Sequence, residues 1–178
     1  YSVVLQQQPL QLLVTASGKH KGRLTRNDFV RVGADGKPLY EDQPKASAET
    51  LLHVAIAQET TAGAILHTHS VWATVLSEQF SAEGAISITD YEMLKGLDDV
   101  TTHQHLEHLS IFDNTQDIAQ LATDLRNRFK QQPEQLAHGF LIRQHGLYTW
   151  GETLDDAQRQ IEVFEFLLEC IGRRGHSG

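Results

Sequence analysis

Apolar residues recur along this chain with two periods, and the switches between them divide it into strands and helices. Leu10-Gln-Leu-Leu-Val-Thr15 reads as a strand, Ser17-Gly18 as a turn, and Phe29-Val-Arg-Val32 as a second strand closed by Gly33-Ala-Asp-Gly36. Lys45-Ala-Ser47 leads into a helix with Ser47 as its N-cap and Leu51, Leu52, Ala55 and Ile56 as its buried stripe. The apolar run Ala62-Gly-Ala-Ile-Leu66 predicts a strand, and Val71, Trp72, Val75 and Leu76 predict the helix after it. Ala85-Ile-Ser-Ile-Thr89 and His108-Leu-Ser-Ile-Phe112 alternate like strands. Asn114 and Asp117 then cap an amphipathic helix carrying Ile118, Leu121, Leu125 and Phe129. Strands at 139–143 and 147–150 form a hairpin across His145-Gly146. Thr153 caps a long last helix whose stripe is Ala157, Ile161, Phe164, Leu168 and Ile171, and the tail Arg173–Gly178 is expected to fray.

Strands and helices mixed in this order predict a mixed α/β fold, one domain over residues 1–178, with helices covering a mostly antiparallel sheet. The length, 178 residues, suffices to bury a real core. A net charge of −8 argues against nucleic acid or an anionic membrane as partner, since either needs a basic face. No apolar stretch approaches the length of a transmembrane helix. The single cysteine, Cys170, excludes an intrachain disulfide and a cysteine-rich zinc finger, and implies a reducing, cytoplasmic setting. Within its helix it reads as a buried, inert thiol.

The chemistry begins at His67-Thr68-His69, which ends an apolar strand. Side chains at i and i+2 of a strand point to one side, so two imidazoles converge there without backbone distortion. His145 ends a similar run, Gly139-Phe-Leu-Ile-Arg-Gln-His-Gly146. Three neutral imidazoles with an open position fit a catalytic zinc site better than a closed structural one. Such an ion needs acid–base partners, and two glutamates stand in suitable contexts. Glu49 lies in the first turn of a helix, where the dipole favours an anion, and Glu92 follows a strand end. The segment Val14-Thr-Ala-Ser-Gly-Lys-His-Lys-Gly22 offers N–H groups, hydroxyls and lysines to a phosphate straight after a strand. The cluster His103-Gln-His105-Leu-Glu-His108 is read as polar positions around a connecting loop rather than a second metal site.

Four motifs together resemble the class II aldolase/adducin superfamily along nearly the whole chain: Val14-Thr-Ala-Ser-Gly18, Lys45-Ala-Ser-Ala-Glu-Thr50, Ile65-Leu-His-Thr-His-Ser70 and Arg143-Gln-His-Gly-Leu147. Tyr91-Glu-Met-Leu-Lys-Gly96 and Phe112-Asp-Asn-Thr-Gln-Asp-Ile118 resemble a dehydratase branch of it that acts on a sugar phosphate in methionine salvage. The resemblance implies an αβα sandwich with a central antiparallel sheet, assembled as a homotetramer with active sites near subunit interfaces. It implies one Zn2+ per subunit on His67, His69 and His145, with Glu92 as acid/base and Glu49 at the acid/base position of the sugar-phosphate aldolases. Phosphate recognition is expected from Ser17, Gly18, Lys21, Ser47 and Lys95. The family's opening helix and Gly-Asn-x-Ser phosphate turn precede these motifs, and Tyr1-Ser2 corresponds to the end of that turn. Ala48 replaces the second serine of the aldolase Ser-Ser-Glu motif, which weakens an aldolase reading. A sugar-phosphate aldolase remains the alternative, and a non-catalytic assembly domain like that of adducin a further one.

Overall fold

The computed structural model describes residues 1–175 apart from the side chain of Lys21. Eight strands and four helices follow in the order β1 (Ser2–Gln7), β2 (Leu10–Thr15), β3 (Phe29–Gly33), α1 (Thr50–Glu59), β4 (Ala64–Thr68), α2 (Val71–Gln79), β5 (Ala85–Ile88), β6 (Glu107–Phe112), α3 (Ile118–Gln131), β7 (Gly139–Ile142), β8 (Gly146–Gly151) and α4 (Leu154–Gly175). The strands form one sheet in the order β3-β2-β1-β4-β8-β7-β6-β5. Every pairing is antiparallel except that of β6 with β7. The expected mostly antiparallel sheet under helices is thus the architecture found. Among the described residues no helix is long and apolar enough to cross a membrane.

Strand alternation sends side chains to two separate cores. Phe140, Ile142, Tyr148 and Trp150 face α1 and α3, together with Leu12, Val14, Val30, Val32 and Ile65. Leu141 and Leu147, one residue out of step, face α2 and α4 with Ile86, Ile88 and Leu109. Helix α1 packs on α3 and α2 on α4, so the sheet is the middle layer of a sandwich. Both helices of the second pair are capped by side chains. The Ser70 hydroxyl accepts from the Ala73 N–H at 3.1 Å, and Thr153 and Asp156 exchange bonds through side chain and backbone at 3.1 and 3.2 Å.

Several expectations are corrected. Strand β1 was not anticipated, because its glutamines give no alternating signal; it is held by β2 along its length and by β4 through Ser2 and Val3. Ser47 is not the cap of α1: Glu49 is, and Ser47 sits in a segment bridged to the turn after β2 through Ala16 and Ala46. Helix α1 is buried on most of its surface, not along one stripe. In α2 the buried side is Ala73, Leu76 and Ser77, while Val71 and Val75 are exposed. Gln160, Val163, Leu167 and Gly172 join the buried side of α4, and Ile161 and Ile171 are only half-buried. Cys170 is half-buried rather than buried. Arg173 and Arg174 continue α4 instead of fraying, and the rest of the expected tail, 176–178, lies outside the described residues.

One topological fact governs the site. Phe112 pairs with Ile142 in parallel register, so β6 and β7 end on the same side of the sheet. Antiparallel β5 ends at Ile88, opposite Glu107 at the start of β6. The chain after β5 therefore leaves at the far end, about 17 Å away over the five residue steps of β6.

A three-histidine candidate metal centre

Strand β4 carries His67 to the end of the sheet, where it pairs with Tyr148 of β8 and lies flat on that ring, centroids 4.0 Å apart. Ser70 stops the strand and starts α2, which leaves His69 at the rim between them. His145 comes from the tight β7–β8 turn and not from a strand end. That turn is fixed to α2: the Gln144 N–H donates to Ser77 Oγ at 3.0 Å, and the Arg143 guanidinium donates to the Glu78 carboxylate at 2.9 Å. Gly146 allows the close approach of the turn to β4. A Cβ there would stand 2.1 Å from the Thr68 carbonyl oxygen and 3.0 Å from His67 Cε1. Gly146→Ala is therefore expected to destabilise the fold by about 1–3 kcal/mol and to weaken metal retention. Urea midpoints and metal content of the purified variant check this, and unchanged values of both would remove the packing argument.

The three rings meet through their Nε2 atoms, with His69 at 2.8 Å from His67 and 3.0 Å from His145. His67 Nδ1–H donates to the Leu147 carbonyl at 2.9 Å, which leaves its Nε2 a bare lone pair. A single proton on His69 Nε2 can satisfy only one of its two neighbours. A divalent ion satisfies all three, and a backbone carbonyl on the far nitrogen is the usual support of a ligating imidazole. The donor set thus fits a metal ion. The Glu49 carboxylate faces the cluster at 3.6 Å from His67 and 3.3 Å from His145, and its side chain is 17% exposed. As N-cap of α1 it is held at the positive end of that helix.

These residues open into a cavity of about 350 Å3 that is also lined by Ser17, Gly18, Ser47 and His53. The turn carrying Ser17 and Gly18 is tied to the segment before α1: the Ser17 N–H donates to the Lys45 carbonyl at 2.9 Å, and the Ser47 N–H to the Thr15 carbonyl at 3.2 Å. Gly18 takes a left-handed φ of 72°. Lys19 also lines the cavity and pairs with Asp28 at 2.8 Å, which, with the Thr25 groups, holds the Asp28 carboxyl down at about 2. The Lys21 side chain lies outside the described residues.

Two predicted residues stand elsewhere. Glu92 and Lys95 lie on a 3-10 turn, Glu92–Gly96, reached from the far end of β5, and neither lines this cavity. The Glu92 side chain is 71% exposed and paired with Lys95. That ammonium group holds its carboxyl below the ordinary glutamate range.

Other residues stand at the site that the sequence does not assign to it. His53 is buried, contacts Ser2 Oγ at 2.8 Å, and is one helical turn beyond Glu49, a spacing that could have flagged it. Tyr148 is visible only through cross-strand register. Its hydroxyl makes no hydrogen bond of good geometry. Burial first, and the nearby Glu49 carboxylate second, push its pKa well above the ordinary tyrosine value. Asn114, Thr115 and Gln116, before α3, line the same cavity as Ser17 and Ser47.

The chain belongs to the class II aldolase and adducin N-terminal domain family, whose pattern matches residues 1–171. It is 49% identical over 158 residues to the methylthioribulose-1-phosphate dehydratase of Marinobacter nauticus, covering 88% of this chain and 74% of that protein. It is 47% identical over 171 residues to that of Pseudomonas aeruginosa, covering 96% and 80%. Among solved structures, an L-fuculose 1-phosphate aldolase superposes with a TM-score of 0.74 at 18% identity, over 99% of this chain and 76% of that one. The Thermus thermophilus L-fuculose-1-phosphate aldolase gives 0.67 at 21% identity, over 96% and 80%. At those identities the structures establish the fold alone.

Proposed function

We propose that this chain is a zinc-dependent hydro-lyase that dehydrates 5-methylthioribulose 1-phosphate to 2,3-diketo-5-methylthiopentyl 1-phosphate, a step of methionine salvage. The observation that carries this reading is near-half identity to methylthioribulose-1-phosphate dehydratases over almost the whole chain. His67, His69 and His145 would hold one Zn2+ per subunit. When bound, the ion would supply Lewis acidity to the ketose oxygens, which acidifies the C3–H next to the carbonyl.

The reaction removes the C3 proton, expels the C4 hydroxyl as water, and ketonises the resulting enol. Among the described residues Glu49 is the carboxylate beside the three imidazoles, and it takes the C3 proton. The phosphate lies against the Gly18 N–H and the hydroxyls of Ser17 and Ser47, which line the same cavity as the histidines. Glu92 serves as the acid from a neighbouring copy in a homotetramer, since its own cavity lies at the other end of the sheet. Docking would take Glu92 away from Lys95 and out of water, and burial raises a carboxyl pKa toward the value an acid needs. Lys95 then belongs to the same interface. Single, half-buried Cys170 suits the reducing interior of a cytoplasmic enzyme.

The test is product analysis. Zinc-loaded protein with 5-methylthioribulose 1-phosphate is expected to give one product with an intact five-carbon skeleton and one water less. Two fragments from cleavage of C3–C4 would assign an aldolase instead. No turnover by the metal-loaded chain would leave the assembly-domain reading.

A further inference from the structure

A second histidine–carboxylate cluster stands at the opposite end of the sheet. Glu107, the first residue of β6, has a side chain only 3% exposed. A carboxylate so placed needs compensation from charge or hydrogen bonding. Its Oε2 lies 2.9 Å from His105 Nε2 and 2.9 Å from His138 Nδ1. One ligand atom from each residue lies within 4.8 Å of the others.

The arrangement repeats the logic of the first centre. His105 and Glu107 are two apart in extended chain, so both side chains face one way. His138 immediately precedes β7, the parallel neighbour of β6. Its Nε2–H donates to the Asp98 carbonyl at 2.8 Å, so in the neutral ring Nδ1 is a lone pair aimed at the carboxylate. A neutral Nδ1 and a carboxylate facing each other need a cation between them, a metal ion or a proton. His105, with 32% of its side chain exposed, opens to a cavity also lined by Asp98, Asp99 and His138, which gives an ion a way in.

We propose that His105 Nε2, Glu107 and His138 Nδ1 form a second divalent-metal site, distinct from the three-histidine centre and at the other end of β6. Two imidazoles and one carboxylate are a donor set suited to Zn2+ or a neighbouring first-row ion. The Asp98 carbonyl is the support that fixes the His138 tautomer. The ion would be structural. It would clamp the segment 98–107 to the sheet, and with it the Glu92–Gly96 turn, which Arg159 also grips through the Gly96 carbonyl and Asp98. The rival occupant is a proton on His138. Burial opposes that charge, but the Glu107 carboxylate outweighs it and raises the His138 pKa.

Metal counting separates ion from proton without any need for turnover. The chain is stripped with chelator, dialysed against micromolar zinc and analysed by mass spectrometry. About two zinc ions per chain are expected in the parent, and about one in either His105→Ala or His145→Ala. One ion in the parent and the same one in His105→Ala would assign the cluster to a proton and overturn the proposal. His105→Ala could disturb the fold, so a second measurement leaves the cluster intact. His69→Ala/His145→Ala protein titrated with Co2+ should develop visible ligand-field absorption that saturates at about one equivalent. A flat spectrum would overturn the proposal equally.

Discussion

Removing the His145 imidazole is expected to cost the chain about one bound metal ion and to lower turnover by roughly a thousandfold or more, as loss of an electrostatic stabiliser does. His145 is the cleanest of the three to remove. It stands in a turn with 25% of its side chain exposed, whereas His67 is buried flat against Tyr148 and its loss would leave a cavity. The turn itself is held by Ser77 and Glu78, neither of which touches the imidazole, so the fold should survive the change. Two remaining imidazoles and Glu49 make a poorer donor set, with Glu49 facing His67 at 3.6 Å. Metal content by mass spectrometry and initial rates on the same preparation check the prediction. Full occupancy with normal turnover would show that the three nitrogens meet for some other reason. Loss of activity with metal retained would make His145 a proton carrier rather than a ligand.

The three-histidine cluster was legible because β geometry writes itself into spacing. His67 and His69 are two apart at a strand end, and Gly139–Gly146 is a second apolar run with a histidine at its close. Residues contributed through cross-strand register leave no such trace. Tyr148 enters the site only because β8 pairs with β4 at His67, and that pairing is set 81 residues away along the chain. Helix α1 has no single buried stripe because both the sheet and α3 cover it, so most of its positions are buried. Ser47 has the composition of a cap, but the bridge between Ala16 and Ala46 takes its segment before the helix can begin. The histidines at 103, 105 and 108 looked like one group. Strand alternation turns His108 to Ser87, the turn at 103–104 carries His103 toward Glu92, and His105 joins Glu107 and His138.

Glu92 shows most clearly what a motif withholds, and it carries the second large prediction. Glu92→Gln keeps the shape and removes the titrating carboxyl, so turnover should fall about a hundredfold or more, the range of lost general acid catalysis, with metal content unchanged. That outcome alone does not say whose cavity the carboxyl serves. The sheet argues for a neighbour's: β5 runs antiparallel to β6, so the chain toward Glu92 leaves at the end where Glu107 begins, while the three histidines stand where Phe112 and Ile142 end. No rotamer of a glutamate spans that length. Two inactive variants should therefore complement each other. When Glu92→Gln and His145→Ala chains are unfolded together and reassembled, an intact site forms wherever a metal-competent subunit meets a neighbour that still carries Glu92. Random mixing in a closed oligomer places both at about a quarter of the sites, so about a quarter of the parental rate should return. Each variant reassembled alone must stay inactive. If the mixture is no more active than its parents while Glu92→Gln alone remains impaired, Glu92 acts within its own subunit after a rearrangement of the 89–107 segment. If Glu92→Gln turns over normally, the acid is Glu49 or a group near it, and the exposed turn that holds Glu92 against Lys95 has no part in the chemistry.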